Sequence, residues 1–136
     1  MKRFYLTLLY LGICSCCVMA QKVVNLTTEH LVNPMFVDSK SPRLGWQIVS
    51  EKNNVMQTAY HIIVASTEEK ATKCEGDLWN VTAKTSESQW IKYNGKPLKS
   101  NTRCYWRVKV STNKGNTGWS DVAMWNVGLL KEADWQ

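Results

Sequence analysis

TRCYWRVKVS, residues 102–111, is the stretch that decides the fold, because apolar and polar residues alternate along it. An extended chain places successive side chains on opposite faces, so one face of this segment is apolar. The apolar face consists of Cys104, Trp106, Val108 and Val110. The opposite face consists of Tyr105, Arg107 and Lys109. This period of two predicts a β-strand with one face in a core.

Two segments upstream alternate in the same way and predict further half-buried strands. In residues 43–49 the shared apolar face is Leu44, Trp46 and Ile48. In residues 57–66 the inward set is Tyr60, Ile62 and Val64, and the outward set is Ala59, His61 and Ile63. Inward tryptophans have the bulk to fill a sandwich whose sheets lie about 10 Å apart. The predicted core is Trp46, Tyr60, Ile62, Val64, Trp106, Val108 and Val110.

Four shorter segments complete the pattern, bounded by turn-forming residues such as Asn94-Gly95. They are residues 23–26, 78–81, 89–93 and 121–127. Residues 113–118 are a predicted turn, Glu68-Glu69 a predicted solvated loop, and apolar residues at helical spacing are not sustained anywhere after residue 20. Short strands at intervals of about eight to twelve residues predict an all-β fold. We expect a seven-stranded antiparallel β-sandwich, immunoglobulin-like or fibronectin type III-like.

Residues 1–20 have the pattern of an export signal. Lys2 and Arg3 supply the positive start, and residues 4–13 form an apolar stretch too short to span a bilayer. Val18-Met19-Ala20 then fits a signal peptidase site. The segment is therefore predicted to be removed, which implies a periplasmic or extracellular protein.

Cleavage predicts a mature chain that starts at Gln21, with the sandwich in residues 21–127. At 116 residues this is one domain with one modest core. An alternative is a lipoprotein signal in which Cys16 is acylated, which would place the protein on the outer membrane. Membrane contact is expected only in that case.

The charge of the chain is positive but dispersed. The formal net charge is +6, and removal of Lys2 and Arg3 leaves 15 basic against 11 acidic residues, a net charge of +4. The remaining basic residues never form a run. Dispersed charges of this kind keep a protein surface solvated. A nucleic-acid site needs basic residues grouped along the phosphate backbone, so we expect no nucleic-acid partner.

Only two of the five cysteines, Cys74 and Cys104, follow the predicted signal. No CxxC pair or histidine-rich cluster accompanies them, so we expect no metal site and no cofactor. Export would place the pair in an oxidising compartment, where one disulfide can form. Two unpaired thiols, one of them buried, are the alternative that the sequence leaves open.

The ordered set of segments resembles the N-terminal module of bacterial α-L-rhamnosidases, enzymes that remove terminal L-rhamnose from glycans. The resemblance covers nearly all of the chain after residue 20. The segments that carry it are EHLVNP (29–34), SPRLGWQI (41–48), QTAYHIIVAS (57–66), GDLWN (76–80), YNGKPLKSNTRCYWRVKV (93–110), WSDVAMWNVGLL (119–130) and ADW (133–135).

This resemblance implies a module without an active site. In that family a fibronectin type III-like sandwich precedes a lectin-like domain, a helical (α/α)₆ barrel with the catalytic carboxylates, and a C-terminal β-domain. Hydrolysis of the inverting type needs a carboxylic acid and a carboxylate on opposite sides of the bond. Because these lie in the barrel, no catalytic residue is carried over, and we expect no activity from this chain alone. Residues 128–136 resemble a linker towards a missing next domain, which suggests a truncated chain.

Two positions predict local structure in this kind of module. Fibronectin type III domains have a tyrosine whose hydroxyl bonds back to the nearby backbone, and counting six residues from Leu98 places Cys104 there. That bond is then absent unless Tyr105 replaces it. Trp119-Ser120 resembles the tryptophan-serine element of receptor-type modules, in which arginine stacks on tryptophan. We expect Arg107 to be the stacking partner.

Trp79 and Trp90 are the candidate binding residues, since a flat indole can stack on the apolar face of a sugar. Alternation around Ile91 and Tyr93 turns Trp90 away from the core. One hypothesis is an accessory module that scaffolds the enzyme, with both indoles packed on a neighbouring rhamnosidase domain. The other is a stand-alone carbohydrate-binding or adhesive module whose partner is a rhamnose-containing polysaccharide. His61 is expected to be an ordinary surface residue.

Overall fold

Two antiparallel β-sheets, of three and five strands, make up residues 21–130, the part of the chain that the structure, a computed structural model, describes. The predicted export signal and residues 131–136 of the predicted linker lie outside it. The strands are β1 (Lys22–Thr28), β2 (Arg43–Val49), β3 (Gln57–Ala65), β4 (Trp79–Ala83), β5 (Ile91–Lys92), β6 (Arg103–Thr112), β7 (Gly115–Asn116) and β8 (Ala123–Asn126), and helix α1 is Glu68–Thr72. The predicted immunoglobulin-like sandwich is confirmed.

The strand order explains how one apolar face arises from distant segments. The smaller sheet has the order β1-β2-β5, and the larger has the order β4-β3-β6, with β7 and β8 both paired to β6. The longest ladder joins β3 to β6 and sets Ile62 opposite Val108 and Val64 opposite Trp106. Opposite residues share a face, so the alternation of the two strands is in phase.

The core between the sheets contains all seven residues predicted for it, each at most 9% exposed. The indoles of Trp46, Trp106 and Trp125 are fully buried there. Trp125 comes from β8, where only Ala123 and Trp125 are buried. Two inward positions are too few for a periodic signal, which is why the sequence pattern did not single out Trp125.

Buried Gln57 ties the core to the segment that leads into β5. The indole Nε1 of Trp46 donates to Gln57 Oε1 (2.9 Å), and Gln57 Nε2 donates to the carbonyl oxygens of Thr85 (3.1 Å) and Glu87 (2.7 Å). The backbone N of Trp46 also donates to the carbonyl of Ser88 (3.0 Å). Leaving such buried groups unpaired costs about 1–3 kcal/mol each, so these bonds fix the approach to β5 against β2.

The region after β3 differs from the sequence expectation. Glu68-Glu69 begins the short helix α1 and is not a loop, and the side chain of Thr67 caps the helix by accepting a backbone N–H. Ala71 of this helix packs with Ile63 and Ala65 in a second buried cluster. Ile63 does point away from the main core, but the prediction that it faces solvent is wrong because α1 covers that face.

An eighth strand lies inside the predicted turn 113–118. β7 pairs with the end of β6, with Ser111 opposite Asn116 and Thr112 opposite Gly115. Gly115 has φ +113°, a conformation that side chains rarely adopt. Two-residue strands give no alternation, so the sequence shows only the turn.

Both cysteines are free thiols in the structure. Cys104 is buried in the core, where desolvation, with a smaller contribution from the charge of Asp77, raises the pKa of its thiol to about 12. Tyr105 packs on the other side of the sheet, against the cluster under α1. It therefore does not replace the tyrosine expected at position 104.

Tyr93, the residue after β5, supplies a comparable bond from a different part of the fold. Its hydroxyl donates to the carbonyl of Lys96 at 2.6 Å and lies 3.4 Å from the carbonyl of Leu78. Gly95 allows this closeness, since a Cβ there would lie 2.6 Å from the Tyr93 oxygen. Burial raises the pKa of this hydroxyl above its ordinary value of 10.0, so it remains a donor throughout the neutral range.

Replacement of a core indole should be far more costly than replacement of a surface indole. We expect Trp106→Ala to lower the free energy of unfolding by about 3–5 kcal/mol, through lost burial and a residual cavity. Trp90→Ala, at a residue 57% exposed, should change it by about 1 kcal/mol or less. Urea titration followed by circular dichroism measures both values, and equal losses would contradict the assignment of Trp106 to the core.

Candidate functional site

A strained two-residue turn after β1 forms the base of the candidate site. Thr28 and Leu31 exchange both backbone hydrogen bonds (2.9 and 3.0 Å) around Glu29 and His30. Both central residues have positive φ, 51° and 65°. Tight hairpin turns of this kind require φ > 0 at both central positions and usually take Asn and Gly there. Bulkier Glu and His therefore hold this turn at a cost in backbone energy.

Trp90 lies against this turn from the other edge of the same sheet. It precedes β5, has φ 63° and leaves 57% of its surface exposed. The guanidinium carbon of Arg43 lies 4.4 Å from the centre of the indole, a cation–π contact. The ring of His30 meets it edge-on, with centroids 4.5 Å apart and planes at 73°. We call Glu29, His30, Arg43 and Trp90 the Trp90 cluster.

Glu29 fixes the position of Arg43 in this cluster. Its Oε1 accepts the backbone N–H of Arg43 (2.7 Å), and its Oε2 accepts from Nε (3.1 Å) and Nη2 (2.8 Å). Partial burial alone would raise the pKa of Glu29, but the hydrogen bonds from Arg43 and its positive charge outweigh burial and lower the pKa below 4.5. The guanidinium is thus held in one plane over the indole.

Trp79 does not share a surface with Trp90. It begins β4 in the five-stranded sheet, is half-buried, and packs against the main core. Its ring meets that of Tyr93 edge-on, with centroids 5.3 Å apart. The structure therefore leaves Trp90, of the two candidates, as the exposed indole.

A second aromatic cluster lies on the outer face of the larger sheet. Nζ of Lys109 lies 4.9 Å from the centre of the Trp119 ring, and the ring of His61 is 4.9 Å away on a tilted plane. His61 Nε2 is also 2.6 Å from Asn80 Oδ1. The expected stacking of Arg107 on Trp119 is wrong: its guanidinium instead donates to the backbone carbonyls of Ser120 (2.8 Å) and Thr72 (3.2 Å).

An exposed apolar segment, residues 31–36, joins the Trp90 cluster to the edge of β8, and we call it the apolar loop. Four of the seven large apolar side chains that are exposed in residues 21–130 lie in it: Leu31, Val32, Met35 and Phe36. Phe36 is 77% exposed. A sequence signal for this loop exists, since Leu31-Val32 and Met35-Phe36 flank Asn33-Pro34 outside any alternating segment.

Hydrogen bonds to β8 and the residues after it hold the apolar loop in place. Asn126 N donates to the carbonyl of Pro34 (3.1 Å), and Val37 N donates to the carbonyl of Asn126 (2.9 Å). Gly128 N donates to the carbonyl of Val37 (2.9 Å), and Met124 N donates to Asn33 Oδ1 (3.1 Å). The loop covers the edge of β8 opposite β6, so its exposed side chains are attached to an ordered backbone.

Glu29 and Asp77 are the two carboxyl groups of residues 21–130 with a shifted pKa, and each has a cationic partner. Glu29 is paired with Arg43, and Asp77 accepts from Ser66 and Lys70. Burial alone would raise the pKa of Asp77, but these hydrogen bonds and the charge of Lys70 lower it. A glycosidase acid needs a raised pKa, and both of these shifts run the other way.

Residues 21–130 contain no group of three or more His, Cys, Asp or Glu side chains that could hold a metal ion. Among the same residues, no helix is long and apolar enough to cross a membrane. The Trp90 cluster and the apolar loop are the candidate functional features on the surface of this region.

Two facing antiparallel sheets with these surfaces define an immunoglobulin-like β-sandwich module. The family described as "Rha78A-like, N-terminal immunoglobulin domain" matches residues 23–131. The chain belongs to this family, and the resemblance to the N-terminal module of α-L-rhamnosidases is confirmed.

The relatives are much longer proteins. An α-L-rhamnosidase of Formosa agariphila is 40% identical over 105 residues, which are 76% of this chain and 11% of the relative. One from an Alteromonas species is 36% identical over 79% of this chain and 12% of the relative. The chain thus spans about an eighth or less of the curated relatives it matches.

Two solved α-L-rhamnosidases contain the same fold. The structure from Dictyoglumus thermophilum matches with a TM-score of 0.81 and 32% identity, over 85% of this chain and 13% of that one. The structure from Streptomyces avermitilis, complexed with L-rhamnose, matches with a TM-score of 0.80 and 30% identity, over 86% and 11%.

The pH dependence of the Trp90 cluster should follow the lowered pKa of Glu29. A carboxylate with a lowered pKa stabilises the fold above its ordinary pKa, and this contribution is lost as pH falls through the lower folded value. We expect the indole N–H resonance of Trp90 to titrate with a midpoint below 4.5. Glu29→Gln should abolish this acidic titration and Asp77→Asn should preserve it; absence of a Glu29-dependent transition below 4.5 would contradict the pairing with Arg43.

Proposed function

We propose that this chain is a non-catalytic accessory module of an exported α-L-rhamnosidase, and that it packs against neighbouring domains of that enzyme and positions them. The observation that carries the proposal is the apolar loop, a cluster of exposed apolar side chains on an ordered backbone. Clusters of this kind on soluble proteins mark contact surfaces with other proteins or domains.

The position of the apolar loop supports a contact within one polypeptide. Its backbone is bonded to residues 124–128, at the C-terminal end of the described chain. The family is an N-terminal domain, so in the longer relatives further domains follow this end. Domains within one chain commonly share modest, partly polar interfaces. A following domain would start within reach of Val32, Met35 and Phe36.

Export and the finer fold type belong to the same proposal. The pattern of residues 1–20 supports secretion to the periplasm or beyond. The three-stranded sheet β1-β2-β5 facing β4-β3-β6 supports a sandwich of the fibronectin type III kind. Neither point alters the role assigned to the apolar loop.

A chimera tests the packing role directly. Residues 21–130 would replace the matching N-terminal region of the Formosa agariphila α-L-rhamnosidase. We expect the chimera to unfold in one calorimetric transition. The double variant Val32→Ser and Phe36→Ser should separate an earlier transition, because burying each of these side chains contributes about 1.5–3 kcal/mol to the contact.

The matched control changes two exposed apolar residues elsewhere, Val49→Ser and Met56→Ser. It should unfold like the parent chimera, since neither residue belongs to the apolar loop. Identical unfolding of the loop variant and the control would refute the proposed contact surface.

The purified chain should not hydrolyse rhamnosides by itself. Two carboxyl groups must flank the bond in such a reaction, and Glu29 and Asp77 are instead engaged in ion pairs. We expect no release of p-nitrophenol from p-nitrophenyl α-L-rhamnopyranoside above the rate without protein, with the Formosa agariphila enzyme as the positive control. Activity that survives repeated purification would overturn the non-catalytic assignment.

A further inference from the structure

We infer that the Trp90 cluster is a binding site for a neutral pyranose ring, with L-rhamnose as its sugar, separate from any domain contact. The choice of L-rhamnose rests on the proposed membership in an α-L-rhamnosidase; the inference of a sugar site rests on the geometry of the cluster.

Backbone strain is concentrated at this cluster. Three non-glycine residues with positive φ, Glu29, His30 and Trp90, meet there although they come from two different connections. Each such conformation costs about 1–2 kcal/mol in an ordinary residue. Burial does not explain the strain at Trp90, because its indole is mostly exposed. Strained non-glycine residues are typically found together at ligand-binding sites.

The indole is ordered before any ligand arrives. Arg43 lies over the ring, and three hydrogen bonds to Glu29 fix Arg43. His30 supports the ring from a second direction. A site whose side chains are already immobile loses less entropy on binding than a mobile one.

The chemistry offered by the cluster matches a sugar. A flat, exposed indole can cover the C–H face of a pyranose, and a few polar groups at its rim can orient the hydroxyls. Nη1 of Arg43 makes no hydrogen bond to any of residues 21–130, and the exposed imidazole of His30 lies beside the same ring. These groups are available to hydroxyl oxygens of a bound ring.

Local charge favours a neutral ring. The carboxylate of Glu29 neutralises Arg43 at 2.8 Å. Lys92, which lies opposite Arg43 in the β2–β5 ladder, adds one exposed positive charge. A phosphate or polyanion site would combine several unpaired basic groups, whereas here the cation nearest the indole is already paired.

Nuclear magnetic resonance can test this site on the intact ¹⁵N-labelled chain. L-rhamnose is added up to about 100 mM, at which a site with a Kd of about 10 mM would be about 90% occupied. We expect a saturable shift of the Trp90 indole N–H resonance, and binding at least about tenfold weaker in Trp90→Ala. Absence of a saturable shift would overturn the inference.

Trp119 provides the internal control, because it also has a cation and a histidine ring beside it but is not among the residues with positive φ. Its resonance should stay unchanged. Equal shifts at both indoles would show unspecific stacking and overturn the inference. Equal or tighter binding of D-glucose or D-glucuronate would overturn the assignment to L-rhamnose.

Arg43→Lys separates positioning from charge. It keeps the positive charge but loses the planar group held over the indole, so the affinity should fall by about threefold or more while the spectrum of the core stays unchanged. Unaltered affinity would refute the role of Arg43 in the site.

The chimera distinguishes this inference from the proposed function. Sugar binding should persist in the chimera, whatever the effect of the loop variant on its unfolding. Loss of the rhamnose-induced shift of Trp90 in the chimera would indicate that a protein domain covers the cluster, which would overturn the sugar site and leave the packing role standing.

Discussion

The burial of three indoles between two sheets is the constraint on which the rest of this structure depends. Trp46, Trp106 and Trp125 come from both sheets and fill the space between them. Only Trp46 has a partner for its indole N–H within the described residues, the side chain of Gln57. Gln57 also donates to the carbonyls of Thr85 and Glu87, so the residue that partners this core indole also holds the segment that leads to Trp90 and β5.

The alternating segments of the sequence form the core, whereas the candidate functional surfaces lie in the connections between strands. The β3–β6 ladder at the centre of the larger sheet is explained by in-phase alternation. By contrast, the turn at Glu29-His30, the approach to β5 and the apolar loop all contain features that stability alone does not require. They include strained backbone, an exposed indole and exposed apolar side chains. Connections on a rigid scaffold are where binding residues are most often found.

The position of a residue could be predicted from the sequence where a local pattern determines it, and not where distant segments do. The inward positions of β2, β3 and β6 could be read from alternation because a strand of seven or more residues repeats the pattern several times. Ile63 was assigned to the correct face but to the wrong environment, since α1 covers that face through a cluster centred on Ala71. Arg107 was assigned to Trp119 from a motif, but Lys109 occupies that place. Both residues lie on one face of β6. Arg107 donates to the carbonyls of Thr72 and Ser120, and Lys109 lies over Trp119.

The sequence by itself determined the fold class and most of the core, because both depend on which side of an extended strand a residue occupies. The exposure of Trp90 was also predicted from alternation, but its left-handed backbone places it just outside β5. Only the tertiary structure decided what surrounds Trp90. Its partners lie 47 to 61 positions away, at Arg43, His30 and Glu29. They meet because β2 lies between β1 and β5 in the smaller sheet. Strand order is set by the packing of the whole sandwich and by no single segment, so neither alternation nor spacing could have brought these residues together.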